Sequence, residues 1–420
     1  MTIEPTIKGW KTIKLGKCLA VIRNGIQDKQ KKVNGEYKIT RIETIGHEFL
    51  DLNRVQFADN LPIDKIEKFK LRKNDILFSH INSDVHLGKT VLVNRDYEDV
   101  LHGMNLLLLK ANTEIVDSNF LQLIFKYLRN NGVFIKIASR AVNQSSINQA
   151  KLKNLELNIP PLSEQKSIAS ILTITQEAIA GQEELIVKLR ELKQSMMQHL
   201  FTHGVKGEKT KMTEIGEIPE SWELVELGSV YEFTKKPKGI VVDGLIPFIT
   251  MDNIPIGQMN VSNFLEKSAD KITSGTYVEN GDLLLAKITP SFENGKQAIL
   301  NINNKFAYAT TEVIPIKEIK DRSSIVYLFY YLLKNDIRQR LAGKMEGTTG
   351  RQRLSKSVLE KILIPFPAYE EQKKIAEVFM VIDRRIESVQ EKLLAYDNLF
   401  ETLLHELMSG ERRVKLNNYE

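Results

Sequence analysis

The chain is written twice. The phrase Pro160-x-x-x-Glu164-Gln165-Lys166-x-Ile168-Ala169 returns about 207 residues later as Pro367-x-x-x-Glu371-Gln372-Lys373-x-Ile375-Ala376. Asp75-Ile76-Leu77 followed by Gly88-Lys89 returns at the same offset as Asp282-Leu283-Leu284 followed by Gly295-Lys296. Trp10 with Leu15-Gly16 matches Trp222 with Leu227-Gly228 at a slightly larger offset. A period of half the chain is far too long for a solenoid. It describes two copies of one whole domain, each ending in the same kind of segment. Such a chain is built to hold two similar but unlike things at a set separation.

Bulk properties narrow the class. With 420 residues there is room for two or three domains, each able to bury a core. Cys18 is the single cysteine, so an internal disulfide and Cys-based zinc sites are excluded and a reducing compartment is expected. The opening residues carry no apolar signal run. The longest apolar stretches, such as Leu106 to Leu109, are too short to span a bilayer. A cytoplasmic location without membrane contact is therefore expected. The net charge of +6 and pI near 9.0 permit a polyanionic partner without requiring one.

Each half divides into a mixed block and a helical tail. In the first block, strand-like runs at Tyr37 to Ile42, Asp75 to Ser79, Thr90 to Asn94 and Met104 to Lys110 are broken by turn residues such as Asn34-Gly35, Asn74-Asp75 and Asn82-Ser83. A helix is expected from Ser118 to Ala138, with Phe120, Leu121, Ile124, Phe125 and Leu128 at helical spacing. The second block repeats the order: Ile246 to Met251, Asp282 to Ile288, Gln297 to Asn301 and Thr311 to Ile316, then a helix from Ser324 to Leu341. Strands first and a helix late predict an α+β (mixed α/β) domain rather than a doubly wound sheet.

The tails carry the clearest pattern. Ile375, Phe379, Ile382, Ile386, Val389, Leu393, Tyr396, Phe400, Leu403 and Leu407 step by four and three without a break. That heptad seam predicts a coiled coil. The first tail places Ile168, Leu172, Thr175, Ile179, Gln182, Ile186, Leu189, Lys193, Met196 and Leu200 at the matching positions. Either its polar members sit on the seam and fix register, or the helix turns slightly to use Leu185 and Leu192 and leaves Gln182 and Lys193 at the edge. Ser163 is placed to cap the first helix, with Glu164 in its positive first turn, whereas Tyr369 opens the second.

The path of the chain follows. One helix leaves the first head and delivers the chain to the second; the other leaves the second head, and its nearest partner seam is the first helix. Antiparallel packing returns the C-terminus to the first head and relates the two heads by a pseudo-two-fold axis. At 1.5 Å per residue the helices would be about 55 Å long. Two heads about 50 Å apart suit paired half-sites on one face of a duplex, one or more turns apart.

The ordered, doubled set of these features resembles the specificity subunit of a type I restriction-modification enzyme, over nearly the whole chain. Besides the two Pro-x-x-x-Glu-Gln phrases, Leu200-Phe201-Thr202 and Gly281-Asp282-Leu283-Leu284 with Gly295-Lys296 carry the likeness. The resemblance implies two target-recognition domains separated by two long helices forming an antiparallel coiled coil. The expected segments are recognition domain 1 (1–159), a helical spacer (160–204), a linker (205–218), recognition domain 2 (219–366), a C-terminal helical spacer (367–410) and a tail (411–420). It further implies a non-catalytic, sequence-specific DNA-binding subunit. Each recognition domain would read one half of a split, asymmetric site in double-stranded DNA. The helices would set the gap and dock two methyltransferase subunits, with restriction (motor-nuclease) subunits joining the larger assembly. S-adenosylmethionine, ATP and Mg would be used in partner subunits only. A methyltransferase-only complex and a coiled-coil scaffold that binds no DNA are the alternatives. One departure stands out: Ala141-Val142-Asn143-Gln144-Ser145 lacks the glycine-threonine pair of Gly347-Thr348-Thr349-Gly350.

Contacts to DNA need Arg, Asn or Gln for base edges and Lys, Arg or hydroxyls for phosphates. In head one the candidates are Lys29, Lys31, His80, Asn82, Lys89, Arg140, Asn143 and Gln144. In head two they are Lys235, Lys236, Lys287, Thr289, Lys296, Arg351 and Gln352. Singly, each reads slightly better as a solvated loop residue; in doubled positions the set favours DNA. The Gly-Lys pairs can also be hairpin turns. The helix-pairing seam is expected to use Ile168, Leu172, Ile179, Ile186, Leu189, Met196, Ile375, Phe379, Ile382, Ile386, Val389, Leu393, Phe400 and Leu403.

No catalytic or metal constellation is expected. Glu164-x-Lys166 and Glu371-x-Lys373 superficially match a nuclease Glu-x-Lys, but both open helices and read as a solvated first turn. Ile159 interrupts an Asn-Pro-Pro in Asn158-Ile159-Pro160-Pro161. There is no Gly-x-Gly-x-x-Gly unit or Walker loop. His199 and His203 share a helix face but have no third ligand beside them.

Overall fold

The computed structural model describes residues 7–46, 49–141, 144–240, 243–261, 263–348 and 350–414. The chain forms two compact units. The first takes in residues 1–183 and 391–420; the second takes in 184–390. Each long helix, Leu162–His203 and Tyr369–Ser409, therefore gives its first half to one unit and its second half to the other.

In the first unit the main sheet runs Leu19–Asn24, Leu106–Ala111, Ile76–Ser79 and Thr90–Leu92 in spatial order, all antiparallel. Its central strands are apolar on both faces because both faces are covered. Ile76, Phe78, Leu107 and Leu109 pack with Phe120, Leu121, Ile124 and Phe125 of the following helix. The alternate residues Leu77, Leu106 and Leu108 enter a second core with Ile42, Val91, Val93 and Tyr97. A smaller sheet joins Gln56–Ala58, Tyr37–Ile39 and Val100–Leu101, the last pair parallel.

The second unit repeats this frame. Its main sheet runs Tyr231–Phe233, Val313–Glu318, Leu283–Ala286 and Gln297–Ile299. Ile76 pairs with Leu109 in the first unit and Leu283 with Ile316 in the second, the same register at the repeat offset. Leu283 and Leu285 again face one core and Leu284 the other. The smaller sheet gains a fourth strand, Thr276–Glu279. Before each central strand the chain turns through a left-handed residue, Asn74 (φ 70°) or Gly281 (φ 93°). The following aspartate closes that turn: Asp75 accepts the Arg72 N–H at 2.9 Å, and Asp282 accepts the Glu279 N–H at 2.7 Å.

The strands expected from sequence lie where they were placed, within a few residues. The expected single helices do not. Ser118–Asn130 ends before Gly132, whose φ of 69° leaves the helical region, and a separate short helix, Val133–Ile137, follows. Ile325–Leu333 stops at the extended Lys334 before Asn335–Ala342. Apolar spacing continued through both breaks because both pieces bury residues in one core.

The long helices start at Leu162 and Tyr369, so Ser163 lies inside the first turn and does not cap it. What holds each start is a buried glutamine. Gln165 accepts the Asp117 N–H at 2.9 Å and donates to the carbonyls of Ile115 (3.0 Å) and Pro160 (2.9 Å). Gln372 accepts the Ser324 N–H at 2.8 Å and donates to the carbonyls of Arg322 (3.3 Å) and Pro367 (2.9 Å). All six partners are backbone groups at matching positions.

The glutamates before them are tied into the fold rather than left as free first-turn residues, contrary to expectation: Glu164 is buried and Glu371 half-buried. Glu164 receives Arg413 from the tail through two bonds, 2.6 and 2.8 Å. Arg413 also donates to the Lys8 carbonyl and lies over the Trp10 ring. Glu371 accepts instead from the Val205 N–H (3.0 Å) and the Trp222 indole (3.2 Å).

Within each unit the helix halves pack start against end. In the first, Ile168, Leu172 and Ile179 share a core with Phe400, Leu404 and Leu407, and Leu393 and Leu403 pack against it. In the second, Ile375 and Phe379 share a core with Leu200 and Phe201, Phe201 stacks on Phe379, and Met196 packs alongside. Ile186, Ile382 and Val389 are buried, and Leu189 and Ile386 half-buried. The polar alternative on the first seam is resolved at Lys193: it is largely covered and bonds Asp383 at 2.5 Å, while Leu192 is exposed. Tyr330 donates to the other Asp383 oxygen at 2.8 Å, so both charges are partnered. Among the described residues no helix is long and apolar enough to cross a membrane.

Candidate nucleic-acid interface

The first unit brings several separated candidates onto one ribbon. Ser139–Ala141 and Gln144–Ser146 form a hairpin whose second strand pairs with Ile81–Asn82, so Asn82 lies opposite Ser145. Asp84 ties the hairpin down: it accepts from Ser145 Oγ at 2.5 Å and lies 3.8 Å from Arg140. Gln144 contributes backbone to this ribbon, and Asn143 lies outside the described residues.

Beside the ribbon is a polar cleft of about 220 Å³ lined by Arg41, Glu43, Asn82, Ser83 and Asn105. Arg41 precedes a short 3-10 turn, Ile42–Thr44, and its backbone N–H donates to Thr44 Oγ1. Its guanidinium donates to Gln56 at 2.9 Å and to Gln30 at 3.5 Å. Gln30 lies between the candidates Lys29 and Lys31, which are both exposed; Lys31 is ion-paired with Asp59. Arg41 thereby links Gln30, the residue between the two lysines, to the cleft that Asn82 lines.

Two first-unit candidates sit apart from such exposed chemistry. His80 is buried, and burial pushes its pKa down to about 4, so at neutral pH it offers no positive charge to a phosphate. Lys89 follows the left-handed Gly88 in the connection between Ile76–Ser79 and Thr90–Leu92, which is the hairpin reading of the Gly-Lys pair. It lines a separate cleft with Lys126 and Arg129, and burial lowers its pKa.

The second unit assembles a corresponding surface. Thr289 and Gln352 exchange two hydrogen bonds: Thr289 N–H to the Gln352 carbonyl and Gln352 N–H to Thr289 Oγ1, both 3.0 Å. Gln352 and the exposed Arg351 belong to the hairpin Glu346–Thr348 and Arg351–Arg353. Arg353 binds Glu312 through two bonds, 2.9 and 2.8 Å, and holds that carboxyl below the ordinary glutamate range. Lys287 adds positive potential to the same carboxylate. Lys235 and Lys236 are exposed, and Lys236 lies over the Tyr308 ring. Lys296 differs: it is largely covered and donates to the Met251 carbonyl at 2.8 Å.

Sequence reasoning missed Arg41, Asn105, Glu312 and Arg353. Their residue types suit base readout, but only strand pairing brings them beside Asn82 and Thr289. Among the described residues no three His, Cys, Asp or Glu side chains gather as metal ligands.

Known proteins share both the sequence pattern and the fold. The family described as the type I restriction modification DNA specificity domain matches twice, over residues 7–191 and 219–395. A putative type I restriction enzyme specificity subunit of Methanocaldococcus jannaschii, MjaX, is 34% identical over 417 residues, covering 97% of this chain and 94% of its own. The MjaVIII specificity subunit of the same organism is 27% identical, covering 83% of this chain and 81% of its own. The crystal structure of a type I restriction-modification S subunit from M. genitalium superposes with a TM-score of 0.59 at 16% identity, over 99% of both chains. A chain from a structural study of type I R-M complex assembly and conformational transition superposes with a TM-score of 0.54 at 14% identity, over 98% of this chain and 100% of its own. With two matched specificity domains that together cover most of its length, the chain belongs to the family of type I restriction-modification specificity subunits.

Proposed function

We propose that each unit reads one half of a split, asymmetric site in double-stranded DNA. The supporting observation is a repeated frame carrying unlike side chains. At the repeat offset the register of the main sheet is the same, but Asn82 is replaced by Thr289, His80 by Lys287 and Asn105 by Glu312. Equal frames with different edge chemistry suit two different half-sites. Exposed lysines at Lys29, Lys235 and Lys236 supply sequence-independent attraction to phosphate.

The long helices act in this reading as the spacer and as the dock for two methyltransferase subunits, with restriction subunits joining the assembly. Support for two copies of one partner comes from exposed apolar residues that recur at the repeat offset. Ile174 and Val381 are 62% and 52% exposed, Val187 and Leu394 52% and 63%, Leu192 and Leu399 48% and 45%. Each unit thus carries one such trio, with Ile174, Leu394 and Leu399 in the first and Val381, Val187 and Leu192 in the second. S-adenosylmethionine, ATP and Mg would be used by the partner subunits.

Genome-wide adenine methylation mapping tests this function. Cells with the chain and its partners should show a split motif that disappears when the chain is deleted. An unchanged methylation pattern on deletion would refute it.

A further inference from the structure

Resting on the DNA-reading assignment, we infer that the first unit recognises purine edges directly through Arg41, Asn82 and Asn105, and that the second unit reads its half by a different set of groups. The three side chains come from three separate parts of the chain. Arg41 precedes a 3-10 turn, Asn82 ends the strand Ile81–Asn82, and Asn105 precedes the strand Leu106–Ala111. All three line the cleft beside the ribbon.

Their bonding leaves them able to act. Two glutamine oxygens hold the Arg41 guanidinium through Nη1 and the Glu43 carboxylate lies 3.6 Å from its Nε, which together fix the plane and leave Nη2 uncommitted among the described residues. Asn82 Oδ1 accepts the Ser83 N–H at 2.6 Å, so its amide is oriented with its own N–H groups still to give. The Asn105 side chain makes no hydrogen bond among the described residues. Arginine paired with guanine O6 and N7, and asparagine paired with adenine N6 and N7, are the contacts that distinguish purines in the major groove. A 220 Å³ cleft cannot admit a duplex. The contact is therefore between a base-pair edge and the groups at its mouth, directly or through a bound water.

The second unit does not reproduce the set. Thr250 stands where Arg41 stands, before the turn Met251–Asn253. Thr289 replaces Asn82 and is committed to Gln352; Glu312 replaces Asn105 and is closed onto Arg353. The first unit keeps free amide and guanidinium N–H groups in its cleft, with Glu43 touching only Arg41 Nε; the second closes its carboxylate onto Arg353 through two bonds. The two halves of the recognised site should therefore differ in composition, with the purine contacts made by Arg41 and the two asparagines confined to one half.

The test uses the full chain with its methyltransferase partner in cells, read by adenine methylation mapping. Asn105→Ala is the primary variant, because that side chain holds nothing else in place; Arg41→Ala is the second. Each should relax discrimination at positions of one and the same half, by about ten- to a hundred-fold for a lost bidentate contact, and leave the other half intact. If Arg41→Ala lowers the thermal stability of the protein, Asn105→Ala decides. An unchanged motif with Asn105→Ala, or relaxation spread over both halves, overturns the inference while the DNA-reading assignment stands. If the unsubstituted chain specifies no split motif, the DNA-reading assignment falls and takes the inference with it.

Discussion

The Arg413 guanidinium closes on the buried Glu164 carboxylate with two bonds, 2.6 and 2.8 Å, joining the tail to the opening turn of the first long helix. Removing the arginine leaves a carboxylate with almost no solvent. Arg413→Ala should destabilise the protein by about 2–4 kcal/mol, less than a fully enclosed pair because Arg413 itself is partly exposed. Denaturant melts of Arg413→Ala, Glu164→Gln and the double variant would show coupling of at least 1 kcal/mol, by the usual scale for contacting residues. Additive losses would mean that the pair contributes nothing of its own.

Gln165 and Gln372 each satisfy three backbone groups, so truncation to alanine strands one main-chain donor and two main-chain acceptors, buried or partly buried, at either site. A cost of about 2–3 kcal/mol is expected from each change. Similar losses from Gln165→Ala and Gln372→Ala, measured by chemical unfolding, would show that the two joints are energetically equivalent. A loss at one site alone would break that equivalence.

Asp282 gives a pH signature. Burial raises its pKa from 3.8 to about 6, against the backbone bond from Glu279 that lowers it. The folded state therefore holds the proton more tightly than the unfolded chain. Stability from this group is full below pH 3.8, declines as pH rises and is lost above about 6. The stake is on the order of 3 kcal/mol at most. Asp282→Asn keeps an acceptor for Glu279, so it should flatten the melting temperature between pH 4 and 6.5 and raise it at pH 7.5. A lower melting temperature at pH 7.5 would contradict the assignment.

The repeated apolar trios predict partner stoichiometry. Ile174→Asp should reduce bound methyltransferase subunits from two toward one, and Ile174→Asp with Val381→Asp should remove both. Native mass spectrometry counts them directly. Two copies retained by the double variant would place the docking surface elsewhere.

The spacer proposal makes a length prediction. One heptad added to each long helix adds about 10.5 Å at 1.5 Å per residue. At about 3.4 Å per base pair, the recognised gap should lengthen by roughly three base pairs while both half-sites stay the same. Methylation mapping would show it. Altered half-sites with a fixed gap would refute a ruler.

What the sequence displayed was periodic. The repeat, the apolar runs of the central strands and the four-three stepping of the tails all express local geometry, and all have counterparts in the fold. The helix breaks at Gly132 and Lys334 were hidden because apolar spacing runs through them. Glu164 read as a solvated first-turn residue because its partner lies at Arg413, far along the chain. Asn82 could be singled out by type and position, but Arg41 and Asn105 join it in one cleft only through strand pairings that no local window contains.

The glutamine joint has a consequence for how such proteins diversify. Gln165 and Gln372 grip only main-chain atoms of the head, so the socket does not sense which side chains the head displays. A lineage can remodel its recognition loops, or exchange a whole head by recombination, and the rod still receives it in the same seat. If partner subunits dock on the long helices as proposed, new specificities can then arise without refitting them.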